Sequence, residues 1–332
     1  MRTAESKDRR GASPTPTESM LHIVSGKGGT GKTTIAAALA CSLATEGRRV
    51  LLCEVEGRQG ISELFGITSL DPQEERRLCR TPQGGQVFGL AVDAESALQQ
   101  YLDTYYKLGV AGKAMDKFGV FDFATSIAPG LRDVLLTGKI YEAVRRRAKG
   151  LGTAYDAVVL DAPPTGRISR FLNVHEAVAG LARVGPIHSQ AESIGRVFRS
   201  ASTMVHLVTL LEDMPVTETL EAVTDLVPTQ IRVASIICNL VTDSQFTDDE
   251  LTAAAAEELP LEVPGLSADQ QAALRRELAA EASWIADERS CRAELTRLGL
   301  PMVDIPRDPT GIDTGSLFAI AERLIAVWED ES

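Results

Sequence analysis

A ten-residue segment near the start of the chain combines glycine, lysine and threonine at a spacing suited to binding phosphate. It reads SGKGGTGKTT over residues 25–34, between an apolar run and a helix predicted to begin at Thr34. The glycines allow successive backbone N–H groups to curl around phosphate oxygens, and the helix N-terminus adds positive potential. The predicted nucleotide-binding residues in this loop are Gly26, Gly28, Gly29, Thr30, Gly31, Lys32, Thr33 and Thr34.

Three side chains of this loop have separate predicted roles. Lys32 would contact the β- and γ-phosphates of a nucleotide, and the Thr33 hydroxyl would ligate Mg²⁺. Lys27 directly follows the first glycine and is poorly placed for its own nucleotide. It is similar to the signature lysine of deviant Walker A loops, which crosses a dimer interface and stabilises charge on the partner's phosphates.

The strand predicted after this loop ends in acidic residues, about 20 positions further on. Carboxylates at the carboxyl edge of a parallel sheet lie where ligands of such sheets collect. Glu56 is predicted to orient or polarise the attacking water, and Glu54 is the weaker candidate for that role.

Another predicted strand ends at Asp161 and continues into a Pro-Pro turn. Mg²⁺ keeps most of its waters and takes only one or two carboxylates, so Asp161 is predicted to hold a metal-bound water. Pro164, Thr165 and Gly166 are predicted to form a switch loop whose backbone senses the γ-phosphate.

Apolar, β-rich runs alternate with helix-length segments along the chain. This alternation predicts an α/β fold with a mostly parallel, doubly wound sheet covered by helices on both faces. The predicted strands are Leu21–Ser25, Val50–Glu54, Val87–Val92, Ala157–Asp161, Met204–Leu211, Val233–Cys238 and Met302–Ile305.

The remaining segments suggest one domain with helical insertions. Residues 1–18 are polar and proline-containing and are expected to form a disordered tail, because they bury too little to offset the entropy of ordering. Residues 19–332 are expected to form a single domain, with a helical subdomain from about 95–150 and 173–202. An acidic helical segment, 241–300, carries 13 acidic and 5 basic residues.

Composition limits the classes of partner. The 332 residues carry a net charge of −12, which disfavours broad contact with nucleic acid or an anionic membrane. The uncharged apolar stretch 35–44 is too short to span a bilayer, so stable membrane insertion is not expected. Five cysteines without a Cys-x-x-Cys pair argue against zinc, an iron–sulfur cluster or a disulfide framework, and a cytoplasmic location is expected.

Three motifs closely resemble the ATPase family that includes the arsenite-pump ATPase and the guided-entry ATPase that targets tail-anchored proteins. They read GKGGTGKTT at 26–34, LLCEVEGRQGISELF at 51–65 and DAPPTGRISRFL at 161–172, the last similar to the family's DTAPTGHTLRFL. Weaker similarities are found at Ala128–Asp133, at Glu212–Glu218 and at Asn239.

The resemblance implies a P-loop ATPase fold, with ATP and Mg²⁺ as cofactors. It implies Lys27 as the cross-dimer lysine and Asn239 as the residue that reads adenine. It also implies a dimer, either a homodimer or a heterodimer with a related ATPase, that couples nucleotide state to a protein or hydrophobic client. Glu56 stands where the family has the aspartate that activates water, and the added methylene shifts the carboxylate, which is compatible with either fast or slow hydrolysis.

Two other functions remain open from the sequence. The Glu56 replacement is compatible with a catalytically weak, nucleotide-gated interaction module. Partition and division-site ATPases share the deviant loop but act on DNA or membranes through basic surfaces. The last predicted helix, Ser316–Trp328, carries one basic residue, Arg323, and its apolar face is predicted to pack in the core.

Overall fold

The computed structural model describes residues 19–55, 57–106, 129–149, 154–174, 186–259 and 262–330. Its strands are β1 (Leu21–Gly26), β2 (Arg49–Val55), β3 (Arg76–Arg80), β4 (Gln86–Val92), β5 (Ala157–Asp161), β6 (Thr203–Thr209), β7 (Val233–Val241) and β8 (Met302–Pro306). Its helices are α1 (Lys32–Leu43), α2 (Gly60–Leu64), α3 (Ala94–Tyr106), α4 (Pro129–Lys149), α5 (Thr165–Leu172), α6 (Pro186–Phe198), α7 (Asp213–Leu226), α8 (Asp248–Ala255), α9 (Ala268–Thr296) and α10 (Thr314–Asp330).

The strands form one sheet in the order β3-β4-β2-β5-β1-β6-β7-β8. Every neighbouring pair is parallel except β3 and β4. The predicted α/β class with a mostly parallel sheet is therefore confirmed. Because β1 lies between β5 and β6, the loop after β1 is flanked by the ends of both strands.

Apolar cores lie on both faces of the sheet, as alternation along β2 shows. Val50 and Leu52 belong to a core that contains most of α1, whereas Leu51 and Cys53 belong to the core on the other face. A strand covered on both sides must be apolar at successive positions, which explains why β2 reads as a continuous hydrophobic run. The strands that lead to the carboxyl edge of the sheet are therefore packed on both faces.

The C-terminal helix α10 packs against α1. Leu317 and Leu324 are fully buried there, and Ile320 is nearly so. Full burial of such a side chain stabilises the fold by about 1.5–3 kcal/mol. The predicted apolar face of the last helix thus lies in the core beside the helix that follows the glycine loop.

Seven of the eight strands coincide with predicted strands to within a few residues, and the exception is β3. Its sequence, RRLCR, lacks a regular alternation of apolar and polar residues and is largely exposed. An edge strand pairs on one side only and is commonly charged, so hydrophobic patterning does not predict it.

Two element boundaries differ from the prediction. Helix α1 begins at Lys32, not at Thr34, and β7 extends to Val241, beyond the predicted end at Cys238.

Several predictions fall outside the described residues. They concern the tail 1–18, Glu56, and the parts of the proposed helical subdomain at 107–128 and 175–185. Within the acidic segment 241–300, the structure contains α8 and α9, each of which begins with a reciprocal capping box. None of the helices in the described part of the chain combines the length and apolarity needed to cross a membrane.

Candidate nucleotide-binding site

The loop between β1 and α1 has a backbone that requires glycine. Gly29 and Gly31 have φ angles of 88° and 85°, which disfavour residues with a Cβ atom. At Gly26, a Cβ would lie 2.1 Å from the carbonyl oxygen of Val208 on β6. Gly28 is exposed at the tip of the loop. Gly31 is the N-cap of α1, so the amide groups of the first helical turn point towards the loop.

Hydrogen bonds within the loop hold two side chains close to its backbone. The Lys32 ammonium donates to the carbonyl oxygen of Lys27 at 2.8 Å, and the Thr30 hydroxyl donates to the same oxygen at 3.0 Å. Burial lowers the pKa of Lys32, and the charge of Asp161 acts in the opposite direction. Thr34 lies half-buried in the first turn of α1.

Asn239 lies behind the loop. It is located within β7, and its Nδ2 donates to the carbonyl oxygen of Thr30 at 2.9 Å. A Cβ at Gly31 would come within 2.3 Å of the same Nδ2. The sequence places Asn239 after a strand, whereas the structure puts it inside the strand and in direct contact with the phosphate loop.

Thr33 and Asp161 meet across the sheet edge. The Thr33 hydroxyl donates to Oδ2 of Asp161 at 2.7 Å. Asp161 is fully buried at the end of β5, and its Oδ1 has no hydrogen-bond partner in the described part of the chain. Burial raises the pKa of Asp161, although Arg58, the Thr33 hydroxyl and Lys32 act in the opposite direction. The two residues predicted to serve Mg²⁺ are therefore adjacent.

Glu54 is a second buried carboxylate at this edge. It is 1% exposed and lies directly beside Asp161 in the parallel register of β2 and β5. Its Oε1 accepts a hydrogen bond from the Gly60 amide at 2.7 Å and a longer one from the Ile61 amide at 3.4 Å. Burial raises the pKa of Glu54, the Gly60 amide lowers it, and Asp161 raises it further.

Arg58 connects the loops that follow β2 and β5, and sequence reasoning missed it. Its Nη2 donates to the carbonyl oxygens of Asp161 at 3.1 Å and of Ala162 at 3.2 Å. The same nitrogen lies 3.8 Å from Oδ1 of Asp161. An arginine shortly after an acidic strand end was the available signal, because such a cation has carboxylates within reach.

The predicted switch residues lie at the start of α5. Pro164 is the N-cap of this helix, and the Thr165 hydroxyl donates to Oε2 of Glu218 on α7 at 3.2 Å. Gly166 is exposed, and a Cβ at this position would meet nothing within 4 Å. The Ser25 hydroxyl donates to the carbonyl oxygen of Pro163 at 2.7 Å, which ties this loop to β1.

Lys27 also contacts Glu218. Its ammonium lies 2.8 Å from Oε1 of that residue, so Glu218 holds the loop lysine with one oxygen and Thr165 with the other. The sequence motif that ends at Glu218 does not predict this role, because both partners lie more than fifty residues away in the chain.

The residues present fit Mg²⁺ together with a nucleotide. No cluster of three or more His, Cys, Asp or Glu side chains suitable for a metal occurs among the described residues. Mg²⁺ does not need one, since it is commonly held by one or two carboxylates, waters and substrate phosphates. The Thr33 hydroxyl and Oδ1 of Asp161, which accepts no hydrogen bond among the described residues, are oxygen ligands of this kind.

A glycine loop between a central parallel strand and a helix, with an aspartate at the end of the adjacent strand, defines the class of P-loop nucleotide-binding proteins. The sequence profile of the anion-transporting ATPase family matches residues 20–205, more than half of the chain. The chain belongs to this family.

Individual relatives show the same affiliation. The chain is 46% identical over 313 residues to the ATPase BagA of Mycobacterium tuberculosis, a match that covers 92% of each protein. It is 24% identical over 263 residues to the ATPase GET3 of Kluyveromyces lactis, covering 69% of this chain and 74% of that protein. Similarity to the ATPase get3 of Neurospora crassa is 26% identity over 222 residues, covering 65% and 62%.

Proposed function

We propose that the protein is a Mg²⁺-dependent, dimeric ATPase that couples its nucleotide state to a protein or hydrophobic client. The observation that carries this proposal is the 2.7 Å hydrogen bond between Thr33 on α1 and Asp161 on β5. It brings the hydroxyl of the phosphate loop and a buried carboxylate to one point beside the loop glycines. This pairing is suited to Mg²⁺ and phosphate, and family membership supports ATP as the nucleotide.

The chain's own residues would divide the work of phosphoryl transfer. The loop amides and Lys32 would bind the phosphates, which requires Lys32 to leave the Lys27 carbonyl oxygen. Thr33 would hold Mg²⁺ directly and Asp161 through a water, and the bound metal would neutralise charge on the β- and γ-phosphates. Glu56 would orient the attacking water.

Dimerisation would supply the remaining positive charge. Lys27 is held by Glu218 of its own chain, and in the ATP-bound dimer it would exchange this carboxylate for the partner's phosphates. The partner would be a second copy or a related ATPase. Such a group supplied in trans commonly raises turnover by 10³-fold or more.

Client coupling would pass through the switch residues Pro164, Thr165 and Gly166. Thr165 and Lys27 share Glu218, so release of Lys27 would also change the surroundings of the switch. The stretches 95–128 and 178–202 are the proposed moving parts, and they would rearrange to hold or release the client. Asn239 would read adenine with the part of its amide not used by Thr30.

Phosphate release measured with ATP and Mg²⁺ tests the catalytic proposal. Asp161→Asn should lower turnover by about 10- to 100-fold, as loss of a residue that orients metal ligands commonly does.

Lys27→Ala tests the cross-dimer role. This variant should lose most turnover and should no longer dimerise with ATP, which light scattering measures. The exposed substitution Glu63→Gln on α2 is the control. Unchanged turnover and dimerisation in Lys27→Ala would refute the cross-dimer role.

The catalytically weak, nucleotide-gated module is the second candidate, and the glutamate at position 56 favours it. A carboxylate displaced by one methylene binds water in a different place. A single-turnover measurement separates the two functions. Phosphate release within minutes supports the ATPase, whereas tight binding of ATP with no release over hours supports the module.

Pelleting with DNA or anionic vesicles in the presence of ATP tests the partition-type alternative.

A further inference from the structure

Glu54 is a buried carboxylate with only one of its two oxygens hydrogen-bonded among the described residues. It is 1% exposed, and one of its oxygens is bonded to the Gly60 amide. The other oxygen, Oε2, is buried and makes no hydrogen bond with the described residues. A buried acceptor left without a partner commonly costs 1–3 kcal/mol, and more when it is charged. Such a group is a candidate for a ligand.

A second unsatisfied oxygen lies on the neighbouring strand. Oδ1 of Asp161 is also buried without a hydrogen-bond partner in the described ranges. Because Glu54 and Asp161 are paired in the β2–β5 register, their carboxylates leave the sheet side by side. Two adjacent buried carboxylates repel each other, and both are desolvated, so a cation between or beside them would relieve both costs.

Gly60 and Thr33 show which cation site the pair faces. A Cβ at Gly60 would lie 3.2 Å from Oε1 of Glu54 and 3.5 Å from the Thr33 hydroxyl oxygen. Both groups therefore border the same small space, and Thr33 is itself bonded to Asp161. Glu54 thus stands at the site where Thr33 and Asp161 are proposed to serve Mg²⁺.

Arg58 and Lys32 are the cations beside the pair, and Lys32 is bonded to the carbonyl oxygen of Lys27 and is proposed to bind phosphate. The Arg58 guanidinium is 3.8 Å from Asp161, and its side chain is 32% exposed. It is held mainly by backbone carbonyl oxygens, and at this distance and exposure it compensates a buried charge only partly. The negative charge of Glu54 and Asp161 is therefore only partly neutralised, and a bound cation would stabilise it further.

We propose that Glu54 is the second carboxylate of the Mg²⁺ site, where it positions a metal-bound water beside the one held by Asp161. This inference rests on the proposed function, because it assigns one more residue to the same site. Glu54 acts as a positioning residue, through the metal's water, and Glu56 keeps the proposed role towards the attacking water.

Mn²⁺ binding measured by electron paramagnetic resonance tests this assignment. The probe is Mn²⁺, titrated into the full chain with the non-hydrolysable ATP analogue AMP-PNP. Glu54→Gln keeps the side-chain shape and an acceptor for Gly60 but removes the charge. It should weaken Mn²⁺ binding by about 10- to 100-fold. Its affinity for a fluorescent ATP analogue in EDTA should be no lower than the wild-type value, because the phosphate loop is unchanged and a negative charge near the phosphates is removed.

Glu63→Gln on α2 makes the same change of charge at an exposed position and should bind Mn²⁺ like the wild type. If Glu54→Gln also binds Mn²⁺ like the wild type, the inference is overturned while the proposed function stands. If the wild type binds no Mn²⁺ with the analogue, the proposed function itself fails. Should Glu54→Gln not fold, Glu54→Asp, which withdraws the carboxylate by one methylene, must still weaken Mn²⁺ binding at least several-fold. Wild-type affinity in that variant also refutes the assignment.

Discussion

The ammonium of Lys27 lies 2.8 Å from Oε1 of Glu218 in the same chain. The two side chains are 27% and 31% exposed, so water screens their attraction. Exposed pairs of this kind contribute about 0.2–1 kcal/mol. The pair therefore holds Lys27 in a defined place, yet it costs little to break when a better anion is offered.

Removing that restraint should favour the dimer. Glu218→Gln should strengthen ATP-dependent dimerisation by up to about fivefold, which corresponds to the upper limit for an exposed ion pair. Sedimentation equilibrium with AMP-PNP and Mg²⁺ measures this change. Glu221→Gln, one turn along the exposed side of α7, is the matched control. A weaker dimer in Glu218→Gln than in the control would contradict the role given to this pair.

The glycines of the phosphate loop should differ sharply in tolerance. Gly26→Ala should destabilise the fold by about 1–3 kcal/mol or more, because its Cβ would lie 2.1 Å from the Val208 carbonyl oxygen and force β1 away from β6. Gly28→Ala meets nothing within 4 Å and should leave the free energy of unfolding nearly unchanged. Urea denaturation compares the two variants, and equal stability would count against the observed packing of the loop.

The buried His206 should make stability depend on pH. It is stacked on His22, and its Nδ1 lies 2.7 Å from the Ser235 hydroxyl. Burial, with a smaller contribution from His22, lowers the pKa of His206 well below 6.5. The folded protein thus keeps this ring neutral, while the unfolded chain protonates it below about pH 6.5.

Stability from this group is therefore complete above pH 6.5 and decreases as the pH falls towards the folded pKa. The slope should reach about 1.4 kcal/mol per pH unit for one proton. His206→Gln should remove that part of the slope between pH 6.5 and 5, measured by urea denaturation at several pH values. An identical slope in the variant and the wild type would show that His206 is not responsible.

Arg58 should contribute most to the free energy of unfolding when no metal is bound. Arg58→Gln removes a donor to the Asp161 and Ala162 carbonyl oxygens and a cation near two buried carboxylates. We expect it to lower the free energy of unfolding by about 1–2 kcal/mol, seen as a lower Tm. Mg²⁺ with AMP-PNP should narrow the difference, because the bound cation replaces the lost charge.

Arg196→Gln on α6 is the control for that experiment, because Arg196 is exposed and its Nη2 donates to the Ser193 hydroxyl at 2.9 Å. A deficit in Arg58→Gln that Mg²⁺ and nucleotide leave unchanged would mean that Arg58 acts through backbone bonding alone.

Local features of this protein were determined by its sequence alone. The glycine-rich loop at 26–34, seven strands and the acid at the end of β5 follow from short-range patterns, since glycine conformation, strand hydrophobicity and a strand-end acid are properties of neighbouring residues. The family was also recognisable from three short motifs. The edge strand β3 was missed, because its charged residues bury too little to form a hydrophobic pattern.

Relationships between distant segments were decided only by the tertiary structure. From the sequence, Glu54 is a weaker candidate than Glu56 for orienting the attacking water. The β2–β5 register places Glu54 beside Asp161, and one of its buried oxygens has no hydrogen-bond partner among the described residues. The contacts of Lys27 with Glu218 and of Asn239 with the phosphate loop likewise join segments about 200 residues apart. Strand order and register set these distances. Both depend on how the whole sheet packs, and a local sequence pattern does not specify that packing.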